Sequence, residues 1–108
     1  MIIRKWREVF YTEQAGKELR DLPVKIGEKF MECFKTIIEG KELPAKCFKK
    51  LEGKQIFEFR VKSDAGTFRG LAGEKGAKLI LVRFFKKSTQ KTPLQEINIA
   101  IKRIKMLG

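Results

Sequence analysis

The chain has 108 residues, 43% of them hydrophobic, and a formal net charge of +12 from 25 Lys and Arg against 13 Asp and Glu. That length suits one core and excludes two, so a single domain over residues 1–108 is expected. The longest apolar run, LILV at 79–82, is far too short to cross a bilayer as a helix, and MIIRKWREVF mixes acidic with basic residues unlike a signal peptide, so a cytoplasmic location is expected.

WREVFYT at 6–12 reads as the end of a first strand that starts near Ile2, from its β-branched and aromatic content. EQAGKELRDL then reads as a short helix interrupted at Gly16. Pro23 takes the first position of a second helix, whose apolar face is Ile26, Phe30, Phe34, Ile37 and Ile38 and whose end is marked by Gly40. KELPAKCFKKLEGK, with Pro44 and Gly53, reads as a connection with one helical turn. Cys33 and Cys47 are the only cysteines and there is no His, so a four-ligand zinc site is excluded, a cytosolic disulfide is not expected, and both thiols are assigned to packing. No metal or cofactor is implied.

QIFEFRVKS alternates Phe57, Phe59 and Val61 with Glu58, Arg60 and Lys62, the period-two pattern of a strand with one face in the core and one face charged. SDAG supplies a turn, TFRGLAG a second strand, GEKGA another turn and KLILVRFF a third strand near the middle of a sheet. Thr92, Pro93 and Gln95 read as the cap, first position and third position of a last helix with Ile97, Ala100, Ile101 and Ile104 on its apolar face. The expected fold is α+β: a small antiparallel-rich sheet with helices packed on one face and the other face partly free.

Charge is distributed unevenly. Residues 1–40 hold eight basic and seven acidic side chains, whereas residues 41–108 hold seventeen and six, so the excess is +1 in the first part and +11 in the second. Such a field implies an anionic partner, and nucleic acid is favoured over a membrane because no single basic amphipathic helix carries the charge. Glu58 and Arg60 project from one face of one strand and Arg69 lies on its hairpin neighbour. Lys86, Lys87 and Thr89 follow the third strand and border the same concavity, with Lys54, Lys62 and Lys91 extending the basic segment. The alternative is a solvated sheet face with ordinary cross-strand pairs such as Glu58 with Arg69, or charge serving solubility and heat resistance.

KKLEGKQIFEFRVKSDAGTFRG and LILVRFFKKSTQKTPLQEINIAIKRI resemble the phage-derived HigB-like branch of the RelE/ParE toxin superfamily over roughly residues 48–104. The resemblance implies the RelE-like fold and a type II toxin, a ribosome-dependent mRNA endonuclease (mRNA interferase) that inhibits translation. Its implied partners are a cognate antitoxin, a helix-turn-helix protein encoded nearby, and the ribosome with its mRNA. The same resemblance points to Arg60 and Arg69 as the basic pair on the sheet and to Lys86 and Lys87 as the lysines that follow it. With no His, Glu58 is the candidate base, and clustered lysines supply the acid. Two other functions fit the composition: a non-enzymatic RNA- or ribosome-binding module, and a ParE-like inhibitor of DNA gyrase.

Overall fold

The computed structural model describes residues 6–87 and 92–107. The elements are β1 (Glu8–Tyr11), α1 (Glu13–Arg20), α2 (Val24–Ile38), β2 (Phe48–Lys50), β3 (Phe57–Ser63), β4 (Gly66–Lys75), β5 (Lys78–Lys87) and α3 (Leu94–Lys105). One five-stranded sheet runs in the order β1-β5-β4-β3-β2. The β2–β3, β3–β4 and β4–β5 pairs are antiparallel, and β1 joins the far edge parallel to β5. The α+β class and the antiparallel-rich sheet are therefore as expected.

Three local expectations change. Residues 48–50 form a short edge strand, with Phe48 opposite Phe59, that the sequence did not suggest; the helical turn expected in this connection lies just before it, where the Cys47 and Phe48 N–H groups both donate to the Pro44 carbonyl. Gly16 does not interrupt α1; it lets the Tyr11 ring lie against the helix, 3.1 Å from where a Cβ would stand. The second and the last helix each begin one residue later than expected, with Pro23 and Pro93 at the caps and no side-chain capping bond.

Helices cover both faces of the sheet, which corrects the expectation that they share one. On the first face, Phe57, Phe59, Val61, Phe68, Ala72, Leu81 and Phe84 pack with Ile26, Phe30, Phe34 and Ile37 of α2 and Ala15 of α1. On the second, Leu71, Val82 and Phe85 pack with Ala100 and with the partly buried Ile97, Ile101 and Ile104 of α3. Both β4 and β5 are thus apolar on two sides, which explains the nearly continuous apolar run of β5. At about 25 cal/mol per Å² of apolar surface removed from water, the α3 stripe stabilises its docking by several kcal/mol.

A β-bulge sets the phase of these faces. Leu71 pairs with Arg83 but Ala72 with Leu81, so β5 holds one residue more than β4 at this point. The extra residue leaves Val82 and Arg83 together on the α3 side and passes Phe84 to the α2 side. Two glycines of β4 make room for this packing, one on each face. A Cβ on Gly70 would stand 2.8 Å from the Phe84 ring, and one on Gly73 would stand 2.8 Å from Ile104 Cγ1.

Gly73→Ala is expected to lower unfolding stability by about 1–3 kcal/mol through overpacking, and Ile104→Val in the same chain is expected to recover part of that loss. Urea midpoints of the two variants and the parent chain measure both effects.

Candidate functional site

The register between β3 and β4 places Arg60 opposite Arg69 and Glu58 opposite Leu71. Two guanidinium groups side by side repel unless a carboxylate lies between them. Glu58 supplies it. Arg60 Nε donates to Glu58 Oε1 at 2.6 Å, and Arg69 Nη1 lies 3.7 Å from Glu58 Oε2. Thr92, just before α3, completes the group: its hydroxyl donates to Glu58 Oε2 and accepts from Arg69 Nη1 at 3.1 Å. The residue expected to cap the helix therefore spends its hydroxyl on the sheet.

Burial sorts these residues by role. Glu58 is 0% exposed and Arg69 1%, whereas the Arg60 side chain keeps 20% of its surface. Desolvation pulls the Arg69 guanidinium below its ordinary value, Glu58 opposes that effect, and Arg60 adds to it. Arg69 and Glu58 are closed to solvent in this conformation, where the charged face was expected to be open, and the Thr92 hydroxyl bridges the two. The Glu58 with Arg69 pairing is present, but as a buried contact bridged by Thr92 and not as a solvated cross-strand pair.

What stays open is a cleft of about 410 Å³ beside Arg60, lined by Lys49 of β2, Lys54, Thr92 and Ile97. Leu51 and Glu52 complete it. Its three cations against one carboxylate leave it positive, and Lys49 is brought there because it is the register partner of Glu58.

The remaining expected residues are placed as follows. Lys54 joins Arg60 in the cleft. Lys86 does not: it pairs with Phe68 across β4 and β5, and its Nζ lies 5.8 Å from the Phe68 ring centroid, on the α2 side. The physical reason is that β5 continues through residue 87 with strict alternation after the bulge, so Phe85 and not Lys86 faces the side of Arg69. Lys87 is the register partner of Thr67. Lys62 is exposed and borders a second cleft. Thr89 and Lys91 lie outside the described residues. Among the described residues no three His, Cys, Asp or Glu come together as metal ligands, and no helix is long and apolar enough to cross a membrane.

A second polar group holds the opposite end of this face. Arg83, on the bulge, places Nε 2.9 Å and Nη2 3.2 Å from the two oxygens of Glu96 on α3, and its Nη1 2.5 Å from Glu18 of α1. Hydrogen bonding to Glu96 first, then to Glu18, raises the Arg83 guanidinium above its ordinary value against the cost of burial. Arg103 of α3 donates to Glu18 and to the Val82 carbonyl, and Glu18 accepts the Phe84 N–H at 3.1 Å. Pairing of β1 with β5 ends at Tyr11 and Leu81, so these side chains satisfy the β5 edge beyond that point. Nothing in the local pattern of residues 18, 83, 96 and 103 signals this.

Comparison with known structures and families agrees with this architecture. The fold is similar to that of a two-arginine-to-alanine mutant of E. coli toxin RelE in the free state, with a TM-score of 0.68, 18% identity, and coverage of 94% of this chain and 99% of that one. It is also similar to a chain of the RelBE2 toxin–antitoxin complex of Mycobacterium tuberculosis, with a TM-score of 0.56, 17% identity, and coverage of 82% and 100%, and to a chain of the intact E. coli RelBE toxin–antitoxin complex, with a TM-score of 0.57, 17% identity, and coverage of 77% and 99%. The architecture is thus RelE-like. Residues 17–105 match the model of the phage-derived Gp49-like protein family (DUF891), and the chain belongs to that family. No curated protein gives a significant sequence match.

Glu58→Gln removes the carboxylate that compensates Arg69 and is expected to cost about 3–5 kcal/mol, the range for breaking a buried ion pair. Thr92→Val, which keeps the shape and loses the hydroxyl, is expected to cost about 1–3 kcal/mol. Lys86→Ala is expected to leave stability nearly unchanged, and thermal melting of the three variants checks the order.

Proposed function

We propose that this chain is the toxin of a type II toxin–antitoxin pair, in the HigB-like branch of the RelE/ParE superfamily, and that it cuts mRNA on the ribosome. The observation that carries the reading is the positive cleft in which a buried carboxylate, Glu58, fixes the Arg60 guanidinium beside Lys49 and Lys54. A guanidinium held in place before the substrate arrives spends no reorganisation energy when phosphate charge develops. The RelE-like fold supports the class of protein, and toxin–antitoxin complexes among the similar structures support a cognate antitoxin; that the antitoxin is a helix-turn-helix protein encoded nearby rests on the sequence resemblance alone.

In the proposed reaction the 2′-hydroxyl of one nucleotide attacks its own 3′ phosphorus. A 2′-O–P bond forms, the P–O5′ bond breaks, one proton leaves the 2′-oxygen and one reaches the 5′-oxygen. Arg60 contacts the non-bridging oxygens and disperses the added charge, with Lys49 and Lys54 holding the flanking phosphates. Glu58 and Arg69 are positioning residues, since burial keeps both from the scissile group in this conformation. The ribosome contributes the in-line geometry of the message.

One observation favours a second reading, RNA or ribosome binding without cleavage. Glu58 was the candidate base, and it is fully buried with Arg60 and Thr92 donating to its two oxygens. A carboxylate so engaged is poorly placed to take a proton from a hydroxyl.

Expression of the chain alone in a bacterial host is expected to arrest growth with mRNA cut inside translated reading frames. Primer extension on a translated and an untranslated copy of one transcript checks this. Intact mRNA with stalled translation favours the binding module, and intact mRNA with DNA damage favours gyrase inhibition. Arg60→Ala is expected to lower the single-turnover cleavage rate on programmed ribosomes about a hundredfold, Arg60→Lys to restore part of it, and Lys102→Ala, on α3, to leave it unchanged.

A further inference from the structure

Arg60 lines two clefts, not one. The second, of about 330 Å³, lies where α2 passes the edge of β3, and it is bordered by Lys29, Glu32 and Thr36 of α2 and by Lys62 of β3. Leu43, Val61 and the thiols of Cys33 and Cys47 form its less polar part. The clefts meet at Arg60 because β2 is short. Its last partner on β3 is Phe59, and one further bond, from Arg60 N–H to the Cys47 carbonyl at 2.8 Å, closes the ladder. Beyond it β3 has no partner from β2, so the two faces of the sheet communicate at this edge.

We infer that this second cleft is a nucleotide subsite, so that a single strand of RNA crosses the sheet edge at Arg60 with one phosphate group beside Lys49 and Lys54 and the next nucleotide seated between α2 and β3. The inference rests on the proposed RNA-binding role and assigns its path. Three cations, Lys29, Arg60 and Lys62, face one carboxylate, Glu32, so the rim attracts phosphate. Leu43, Val61 and the thiols offer the apolar surface that a base needs, and the volume falls at the low end of small-ligand pockets, about 300–1,000 Å³. Glu32, an acceptor-only side chain at the rim, suits the exocyclic amine of a base. Lys29, Glu32, Cys33 and Thr36 recur at spacings of three, one and three along α2, beside its core stripe. This helix lies in the half of the chain with almost no net charge, which is why its contribution is invisible in the charge count.

The two cysteines make the subsite testable without adding a label. Burial, then the neighbouring Cys47 and Glu32, pushes the Cys33 thiol up to about 11, so Cys33 reacts slowly at neutral pH and Cys47 is the reporter. The probe is a short single-stranded oligoribonucleotide with 2′-O-methyl groups, which binds without being cut. Its affinity is measured for the parent chain and for Lys54→Ala, Lys29→Ala and Lys62→Ala, all exposed positions, and alkylation of Cys47 by iodoacetamide is followed by peptide mass mapping with and without probe. Lys29→Ala and Lys62→Ala are each expected to weaken binding about three- to tenfold, and bound probe to slow Cys47 alkylation by at least the same factor. If Lys54→Ala weakens binding while Lys29→Ala and Lys62→Ala do not and Cys47 stays reactive, the second subsite is overturned and the RNA-binding role stands. If the parent chain fails to bind the probe and also fails to bind programmed ribosomes, the role itself falls, and the subsite with it.

Discussion

The Glu58 carboxylate is the point on which this structure turns. It is buried, it sits between two arginines that the β3–β4 register forces side by side, and it receives a hydroxyl from the segment that begins α3. Without it, two guanidinium groups would share a poorly solvated space, and the cost of leaving Arg69 uncompensated there exceeds what the apolar neighbours return. With it, one carboxylate orders three elements at once. Arg60, held by its Nε and still partly exposed, is the side of this group that faces solvent.

The two ends of α3 are held by different physics. At the start, Thr92 ties the chain to Glu58 and Arg69; along its length, Ile97, Ile101 and Ile104 cover Leu71, Val82 and Phe85; through Glu96 and Arg103 it engages Arg83 and Glu18. The apolar stripe supplies most of the free energy, since partly exposed ion pairs contribute little each. The polar contacts decide the register of the helix on the sheet, because an arginine fork meets a carboxylate in few orientations. Both depend on the bulge, which alone puts Val82 and Arg83 on the same side.

The charge of the chain takes its meaning from this arrangement. Several of its arginines are spent internally: Arg69 on Glu58, Arg83 on Glu96 and Glu18, Arg103 on Glu18. The net excess is consequently carried largely by lysines, and those that matter for the proposed function are the ones the fold gathers around Arg60. Lys49 and Lys54 come from β2 and the loop after it, Lys62 from the end of β3 and Lys29 from α2. In the proposed function, such a field would attract RNA from a distance by charge and sort it at contact by geometry.

Much of the scaffold was legible in the residues themselves. The Ile26, Phe30, Phe34, Ile37 stripe, the alternation of Phe57, Phe59 and Val61, the turn residues at 63–66 and the stripe of the last helix each encode a local period, and a period is read without knowing its neighbours. The short strand at Phe48–Lys50 was not legible, since three residues carry no period and its pairing with β3 is a tertiary fact. Nor was the bulge, which shifted Lys86 away from Arg69, nor the choice of face for α3, because a strand apolar on both sides accepts a helix on either. The sequence by itself determined the elements other than β2, the single strongly basic half and the presence of Glu58, Arg60 and Arg69 on one strand pair. Only the tertiary structure decided which of these charges is buried and which meets solvent, because burial depends on what packs above a residue and not on what stands beside it in the chain.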